Sequence, residues 1–161
     1  MNKQVWIEKA LGLGIQEFEI YQSTTVEKEM TWFQGQMDTL VSSKVTGTSI
    51  RGIVDGKMAN MALEEIDDSM CETVLKSLIE QAHIISNEET DSLRKPEPIE
   101  YVKKDVTWNM ASTEYVKNIL QSLEAKILAY DPRVIQVGYL GYSQGSGSRS
   151  IVNSLGMDVQ D

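Results

Sequence analysis

Few residues in this chain have side chains that could act as metal ligands or nucleophiles. Among the 161 residues there is one histidine, His83, and one cysteine, Cys71. Zinc sites need three or four protein ligands, most often several histidines or cysteines. A zinc site built on two histidines is therefore impossible within these residues. We predict no catalytic residue and no metal ligand in this chain.

Cys71 and His83 both have structural interpretations. Cys71 falls on the apolar face of a predicted helix, where a thiol behaves as a small hydrophobic side chain. His83 lies at the flank of the same helix, as a partly exposed histidine does, and a ligand role would need partners from outside this sequence. Because a single cysteine cannot form an intramolecular disulfide, the chain suits a reducing compartment.

The remaining candidate motifs lack the context that their chemistry requires. The acidic pairs at 64–65 and 67–68 lack the spacing of a calcium loop and precede a helix, whose dipole favours carboxylates there. The glycine-rich sequence at 145–148 would bind phosphate if it opened a helix, but it lies between predicted strands and is interpreted as a hairpin tip. Ser143 and Ser154 have no histidine close in sequence for a catalytic triad.

Composition argues against two classes of partner. The formal net charge is -9 and the pI is about 4.7, whereas nucleic-acid binding depends on clustered lysine and arginine. Residues 1–9 have charges between their apolar side chains and lack the apolar core of a signal peptide. No segment approaches the length of a membrane span. We therefore expect no nucleic-acid or membrane partner and a cytoplasmic location.

The first half of the sequence predicts a helix followed by antiparallel strands. The helix is expected from about Lys3 to Leu13, and a hairpin is expected to turn at Asp55-Gly56, which allow the positive φ angles of a type I′ turn. Strands joined so closely are antiparallel. Together they form a predicted five-stranded meander, with strands at 16–22, 26–34 and 37–43 and the two arms of the hairpin from 47 to 63.

The second half predicts two more helices and a second hairpin. The helices are expected at 67–86 and 113–130, with Leu78 and Leu123 at the centres of their apolar stripes. Residues 87–112 are predicted to be a long surface connection. Strands at 134–143 and 148–153 would form the hairpin.

The predicted fold class is therefore α+β. We expect one domain, 1–161, with a mainly antiparallel sheet and three helices packed chiefly on one face. At this length and with 41% hydrophobic residues, the chain can bury a core without disulfides or metals.

Four sequence blocks, taken in order, resemble a known family. The blocks are Phe18-Glu19-Ile20-Tyr21, Phe33-Gln34-Gly35-Gln36-Met37-Asp38, the hairpin from Gly47 to Ala62, and Ile151-Val152-Asn153-Ser154-Leu155-Gly156. In order and spacing they are similar to the N-terminal domain of the TldD/PmbA family, also known by a proposed role as modulators of DNA gyrase. The resemblance extends from about Gly14 to Gly156.

The resemblance implies that catalysis takes place outside this chain. Family members resemble a two-subunit metalloprotease, in which one subunit type holds zinc through a His-Glu-x-x-x-His helix and a later cysteine in its C-terminal half. Here His83 is followed by Ile84. The chain would be the N-terminal fragment of a longer TldD/PmbA-like protein, inactive alone and without a cofactor, with zinc expected only in the C-terminal half of the catalytic subunit type. Whether the parent is the zinc-bearing or the motif-less subunit stays open.

The same resemblance implies a role in assembly and substrate access. The domain would shape the substrate chamber and the subunit interface for proteolysis of unfolded peptides. Its partners would be its own C-terminal half, a homologous TldD/PmbA subunit in a homo- or heterodimer, and unfolded peptide substrates. The alternative is a freestanding peptide-binding module that takes an extended peptide as an added β-strand.

Arg51 is the residue for which an interface role is considered. It lies mid-strand between Ile50 and Gly52, where a charge must be paired, reach solvent or face a partner. One interpretation is a sheet-surface arginine with an acidic neighbour, and the other is a contact to the C-terminal half or to the second subunit. As a surface change, Arg51→Ala is expected to alter stability by less than about 0.5 kcal/mol.

Overall fold

The computed structural model describes residues 1–86, 89–98 and 109–161. Its helices are α1 (Lys3–Gly12), α2 (Cys71–Ile84) and α3 (Thr113–Leu128), and its strands are β1 (Glu17–Phe33), β2 (Gln36–Val54), β3 (Lys57–Leu63), β4 (Leu140–Asn153) and β5 (Asp158–Gln160). The strands form a sheet in the order β3-β2-β1-β4-β5. β3 pairs antiparallel to β2, and β5 pairs antiparallel to β4. The predicted α+β class is confirmed.

The predicted five-stranded meander is made of three longer strands. The segments predicted at 16–22 and 26–34 are one continuous strand, β1, and those predicted at 37–43 and from 47 onward are both parts of β2. The polar residues between them are largely Ser and Thr, and threonine fits strand geometry well. Thr24 Oγ1 and Thr46 Oγ1 lie 2.9 Å apart across this region. These polar residues belong to an exposed stretch of strand. The breaks predicted between the strands, at 23–25 and 44–46, were therefore wrong.

The turn predicted at Asp55-Gly56 is confirmed, and a second turn lies at Gln34-Gly35. Asp55 and Gly56 have φ angles of 50° and 73°, and Val54 pairs with Lys57 across them. Gln34 and Gly35, with φ angles of 48° and 79°, connect β1 to β2. These positive φ values explain why glycine follows a polar residue at both turns.

The C-terminal hairpin is real but is displaced from its predicted position. β4 continues without a break through residues 144–147, so the glycine-rich sequence is not a hairpin tip. A Cβ on Gly145 would lie 3.3 Å from the Val26 carbonyl oxygen, so glycine permits close approach of β1 there. The hairpin instead turns after Asn153 and pairs Ile151 with Val159.

The chain divides into two compact units. Unit 1 comprises Met1–Thr24, Thr46–Tyr101 and Ser148–Asp161, and unit 2 comprises Thr25–Val45 and Val102–Gly147. In unit 1, α1 and α2 pack on the side of the sheet that carries Phe18 and Ile20 of β1. Leu78 is fully buried in this core, as predicted. A Cβ on Gly52 would lie 2.9 Å from Ile15 Cγ2 and 3.0 Å from Leu78 Cδ2, so glycine allows this close packing.

Unit 2 has its own small core between α3 and β1. It contains Met30, Trp32, Val116 and Leu120. The prediction for Leu123 was wrong, because this residue is 42% exposed. The buried side of α3 continues at Glu124 instead, whose carboxylate accepts hydrogen bonds from Trp32 Nε1 at 2.7 Å and from the Gly35 N–H at 3.0 Å. Buried donors need an acceptor, so a glutamate lies where the apolar pattern would place a leucine.

The predicted surface connection at 87–112 is described in part. Residues 89–98 contain neither helix nor strand, while 87–88 and 99–108 lie outside the described residues. Leu93 is buried within unit 1, and its N–H donates to Glu17 Oε2 at 2.6 Å. Residues 89–98 of the connection are therefore anchored to unit 1, whereas 109–112 belong to unit 2.

Leu78→Ala and Leu123→Ala form a matched pair of tests of this packing. Leu78→Ala should lower the free energy of unfolding by about 2 to 5 kcal/mol, because it leaves a cavity in a closed core. Leu123→Ala should cost less than about 1 kcal/mol, because this side chain already reaches solvent. Urea denaturation of the two variants measures both values. Equal losses of unfolding free energy in the two variants would contradict the burial of Leu78 and the exposure of Leu123.

Candidate functional site

The strongest candidate site lies on the face of unit 1 opposite α1 and α2. Side chains alternate between the two faces of a strand, so the neighbours of core residues point to the opposite side. β1 contributes Glu19 and Tyr21 to this face, β2 contributes Ser49 and Arg51, β3 contributes Met58 and Asn60, and β4 contributes Ile151. These residues line an open groove of about 320 Å³, which we call the Arg51 groove.

An ion pair between Arg51 and Glu19 forms the centre of this groove. Arg51 Nε and Nη2 lie 2.7 and 2.6 Å from Glu19 Oε1. Glu19 is only 2% exposed, whereas the Arg51 side chain is 45% exposed. A buried carboxylate is costly unless it is paired and hydrogen-bonded. Arg51 therefore has the acidic neighbour that its mid-strand position suggests.

Asn153 completes the surroundings of the buried carboxylate, and its role was missed in the sequence. Its Nδ2 donates to Glu19 Oε2 at 3.2 Å and to the Arg94 carbonyl oxygen at 2.9 Å. Its Oδ1 accepts from the N–H groups of Leu155 and Met157, each at 3.0 Å. Asparagine before a turn often makes such bonds. That signal was available, whereas the link to Glu19, 134 residues away, was not.

Ser154 and Cys71 have structural roles. Ser154 Oγ accepts a hydrogen bond from the Phe18 N–H at 2.9 Å, which ties the β4–β5 turn to β1. Cys71 is buried in the core of unit 1, and this burial raises the pKa of its thiol. The interpretation of Cys71 as a small core side chain is confirmed.

His83 is on the surface, as expected. Its side chain is exposed, and Nε2 lies 3.6 Å from Oδ2 of the exposed Asp55. Exposed pairs of this kind contribute little to stability. His83 is twelve positions after Cys71 on the same helix, which separates them by roughly 18 Å along the axis.

The acidic residues before α2 hold the chain start and a helical turn in place. Asp67 accepts hydrogen bonds from the backbone N–H and hydroxyl of Ser69, and these lower the pKa of its carboxyl. Asp68 Oδ1 accepts from the Asn2 N–H at 2.8 Å and from Trp6 Nε1 at 2.9 Å, which lower its pKa. Depressed pKa values mean that these bonds stabilise the fold at neutral pH and lose their effect as the pH falls.

Two further findings concern only the part of the chain that the structure describes. There, no group of three or more His, Cys, Asp or Glu side chains is arranged to hold a metal ion. Within the same ranges, no helix is both long and apolar enough to cross a membrane.

Comparisons with known proteins give one family model and several solved structures that this chain resembles. Residues 18–86 match the family model of PmbA/TldA metallopeptidase domain 1. A search of curated proteins gives no match. Similar solved structures include TldE from Thermococcus kodakarensis, with 19% identity and a TM-score of 0.81. Proposed modulators of DNA gyrase from Thermotoga maritima and Bacteroides thetaiotaomicron each have 18% identity, with TM-scores of 0.81 and 0.74.

The family model and the shared fold confirm the resemblance drawn from the sequence. Residues 18–86 match the first domain of this family, and the chain shares its fold with these solved structures over nearly its whole length. The structural matches cover 98 to 99% of this chain but only 36 to 37% of the three relatives. Most of each relative therefore lies outside the matched region.

The ion pair changes the expected effect of Arg51→Ala. This substitution leaves the buried Glu19 carboxylate without its cation, so we expect a loss of about 1 to 3 kcal/mol in the free energy of unfolding. This value replaces the smaller one expected for a surface residue. The double variant Arg51→Ala/Glu19→Gln should recover part of the loss, because it removes the unpaired charge.

Lys76→Ala is the matched control for this test. Lys76 pairs with Glu72 at 2.6 Å, but both side chains are exposed. Its loss should cost less than about 0.5 kcal/mol. Chemical denaturation of all three variants at neutral pH gives the comparison. If Arg51→Ala cost no more than Lys76→Ala, the pair with Glu19 would not stabilise the fold.

Proposed function

We propose that this chain is the non-catalytic N-terminal domain of a TldD/PmbA-like metallopeptidase. In this proposal it shapes the substrate chamber and the subunit interface through which unfolded peptides reach a zinc centre. The observation that carries the proposal is the Arg51 groove, which lies on the face of unit 1 opposite α1 and α2, in a chain whose residues 18–86 match domain 1 of a metallopeptidase family.

The chemistry of the groove suits contact with polypeptide. Arg51, Asn60, Tyr21 and Ser49 offer hydrogen-bond donors, and Met58 and Ile151 add apolar surface. An extended peptide presents carbonyl oxygens and apolar side chains in alternation. A groove that offers both hydrogen-bond donors and apolar surface can contact extended peptides of different sequences.

The zinc centre belongs, in this proposal, to the C-terminal half of the catalytic subunit type. The separation between His83 and Cys71 is too large for both to bind one ion, since zinc–ligand bonds are about 2.0 to 2.3 Å. The chain would act with its own C-terminal half and with a homologous subunit, in a homo- or heterodimer. Its net charge of -9 argues against nucleic-acid binding, and its single cysteine suits a cytoplasmic location.

A peptide-binding module that works by strand addition is the second candidate. β3 pairs with β2 from Thr48 to Val54, although β2 begins at Gln36. Among the described residues, no strand is ordered on the outer side of β2 before Thr48. A free strand edge can take an extended peptide through backbone hydrogen bonds. Backbone amide shifts confined to residues 36–47 on titration with an unfolded peptide would favour this candidate.

The proposal makes a prediction about zinc. The 161-residue chain should retain no stoichiometric zinc after dialysis, and a chelator should leave its melting temperature unchanged, because a bound structural metal would stabilise the fold. Elemental analysis and thermal melts with and without chelator test this. One tightly held zinc per chain would refute the placement of the metal centre outside this chain.

The proposal also predicts where proteolysis occurs. The chain alone should not cleave an unstructured fluorogenic peptide, whereas the complete protein with its homologous subunit should cleave it in a chelator-sensitive way. The complete protein treated with chelator is the control. Cleavage by the chain alone, or none by the metal-loaded complex, would refute the proposed function.

A further inference from the structure

We propose that the Arg51 groove binds a carboxylate presented by a polypeptide. The inference rests on the proposed function, because it gives the chemical group that a substrate or partner chain would place in this groove. The source of the carboxylate is either a peptide C-terminus or an Asp or Glu side chain, and the two are separated by experiment.

The guanidinium of Arg51 is held in a fixed position before any ligand binds. Two of its nitrogens, Nε and Nη2, contact the same oxygen of Glu19, and Glu19 is held in turn by Asn153. Fixing a long side chain in advance reduces the entropy lost when a ligand binds. Arginine is thereby presented as a rigid donor instead of a mobile surface cation.

Arg51 retains donors for a ligand after it has paired with Glu19. A guanidinium carries five N–H groups in a planar fork, and the pair with Glu19 Oε1 uses two of its three nitrogens. Both side chains line the groove, but that of Arg51 is 45% exposed, whereas Glu19 is almost fully buried. A planar carboxylate can accept two parallel hydrogen bonds from such a fork.

The surroundings of Arg51 favour a carboxylate that is attached to a peptide. Asn60 is the register partner of Arg51 across β2 and β3, so its amide can donate to the same ligand or to a peptide carbonyl. Met58 and Ile151 supply apolar contacts for a neighbouring side chain. The groove volume of about 320 Å³ leaves room for a residue as well as its carboxylate.

Three short peptides separate the sources of the carboxylate. The first is N-acetyl-Ala-Ala-Leu with a free C-terminus, the second is the same peptide with a C-terminal amide, and the third is N-acetyl-Ala-Glu-Leu amide. Each is titrated into the 161-residue chain while the backbone amide shifts of β1, β2 and β3 are followed by NMR. Binding of the first peptide assigns a C-terminal carboxylate, and binding of the third assigns an acidic side chain.

Asn60→Asp tests the site without removal of the ion pair. It places a negative charge opposite Arg51, so affinity for the carboxylate peptide should fall about tenfold or more through repulsion or direct blocking of the guanidinium. Asn118→Asp makes the same change of charge on α3 in unit 2 and should leave binding unchanged. Arg51→Lys keeps the cation but loses the planar fork, and should weaken binding about fivefold.

Two results would overturn the carboxylate site. One is equal binding of the amidated all-apolar peptide and the free-carboxylate peptide. The other is the absence of shifts at the groove residues with any peptide. Melting temperatures of the variants show that each remains folded. The titration measures binding without cleavage, so it tests the carboxylate site separately from the proposed function. If the chain bound carboxylate peptides but the metal-loaded complex cleaved none, the proposed function would be refuted and the carboxylate site would stand.

Discussion

The buried carboxylate of Glu19 is the constraint around which unit 1 is organised. A carboxylate at 2% exposure must have its charge balanced and its oxygens hydrogen-bonded, or the folded state becomes costly. Arg51 from β2 supplies the charge, and Asn153 at the end of β4 supplies a donor. One group on the central strand thus specifies which residues its neighbours on both sides must carry. The same requirement fixes Arg51 at the position where it lines the groove.

The opposite face of the same strands is governed by packing instead of charge. Ile50 and Gly52 alternate with Arg51, and they face α1 and α2. The close approach of Leu78 to Gly52 leaves no room for a larger side chain, so this part of β2 is held against the helix. The strand β2, which contributes Arg51 to the groove, is therefore held in a fixed position. A rigid backing of this kind is what a preformed binding site requires.

Local sequence signals predicted the parts of the fold that depend on local chemistry. The Asp55-Gly56 turn follows from positive φ angles, and the buried position of Leu78 follows from helical periodicity. The errors arise where distant residues decide the outcome. Glu124 replaces the expected Leu123 in the core of unit 2 because Trp32 and Gly35, about ninety residues earlier, need an acceptor. The apolar periodicity of a helix does not show that residues in another part of the chain need a hydrogen-bond acceptor.

Of the three central residues of the candidate site, Arg51, Glu19 and Asn153, the sequence analysis singled out only Arg51. Arg51 stood out because an arginine between two core residues needs an explanation, and the sequence left two explanations open. Glu19 gave no comparable signal, since a glutamate between Phe18 and Ile20 also fits an ordinary exposed strand position. The partner that gives Arg51 its fixed position could therefore be identified only from the pairing of β1 with its neighbours in the sheet.

The structural and the functional interpretations of Arg51 are compatible, because they use different atoms of the same side chain. The pair with Glu19 employs Nε and Nη2 on one oxygen, and the guanidinium keeps further N–H groups at an exposed surface. A lysine in this position would have a single nitrogen to serve both purposes. An arginine can hold the fold on its buried side and contact a partner on its open side. Stability and binding are accordingly separable by substitution: Arg51→Ala removes both, whereas Asn60→Asp is directed at binding alone.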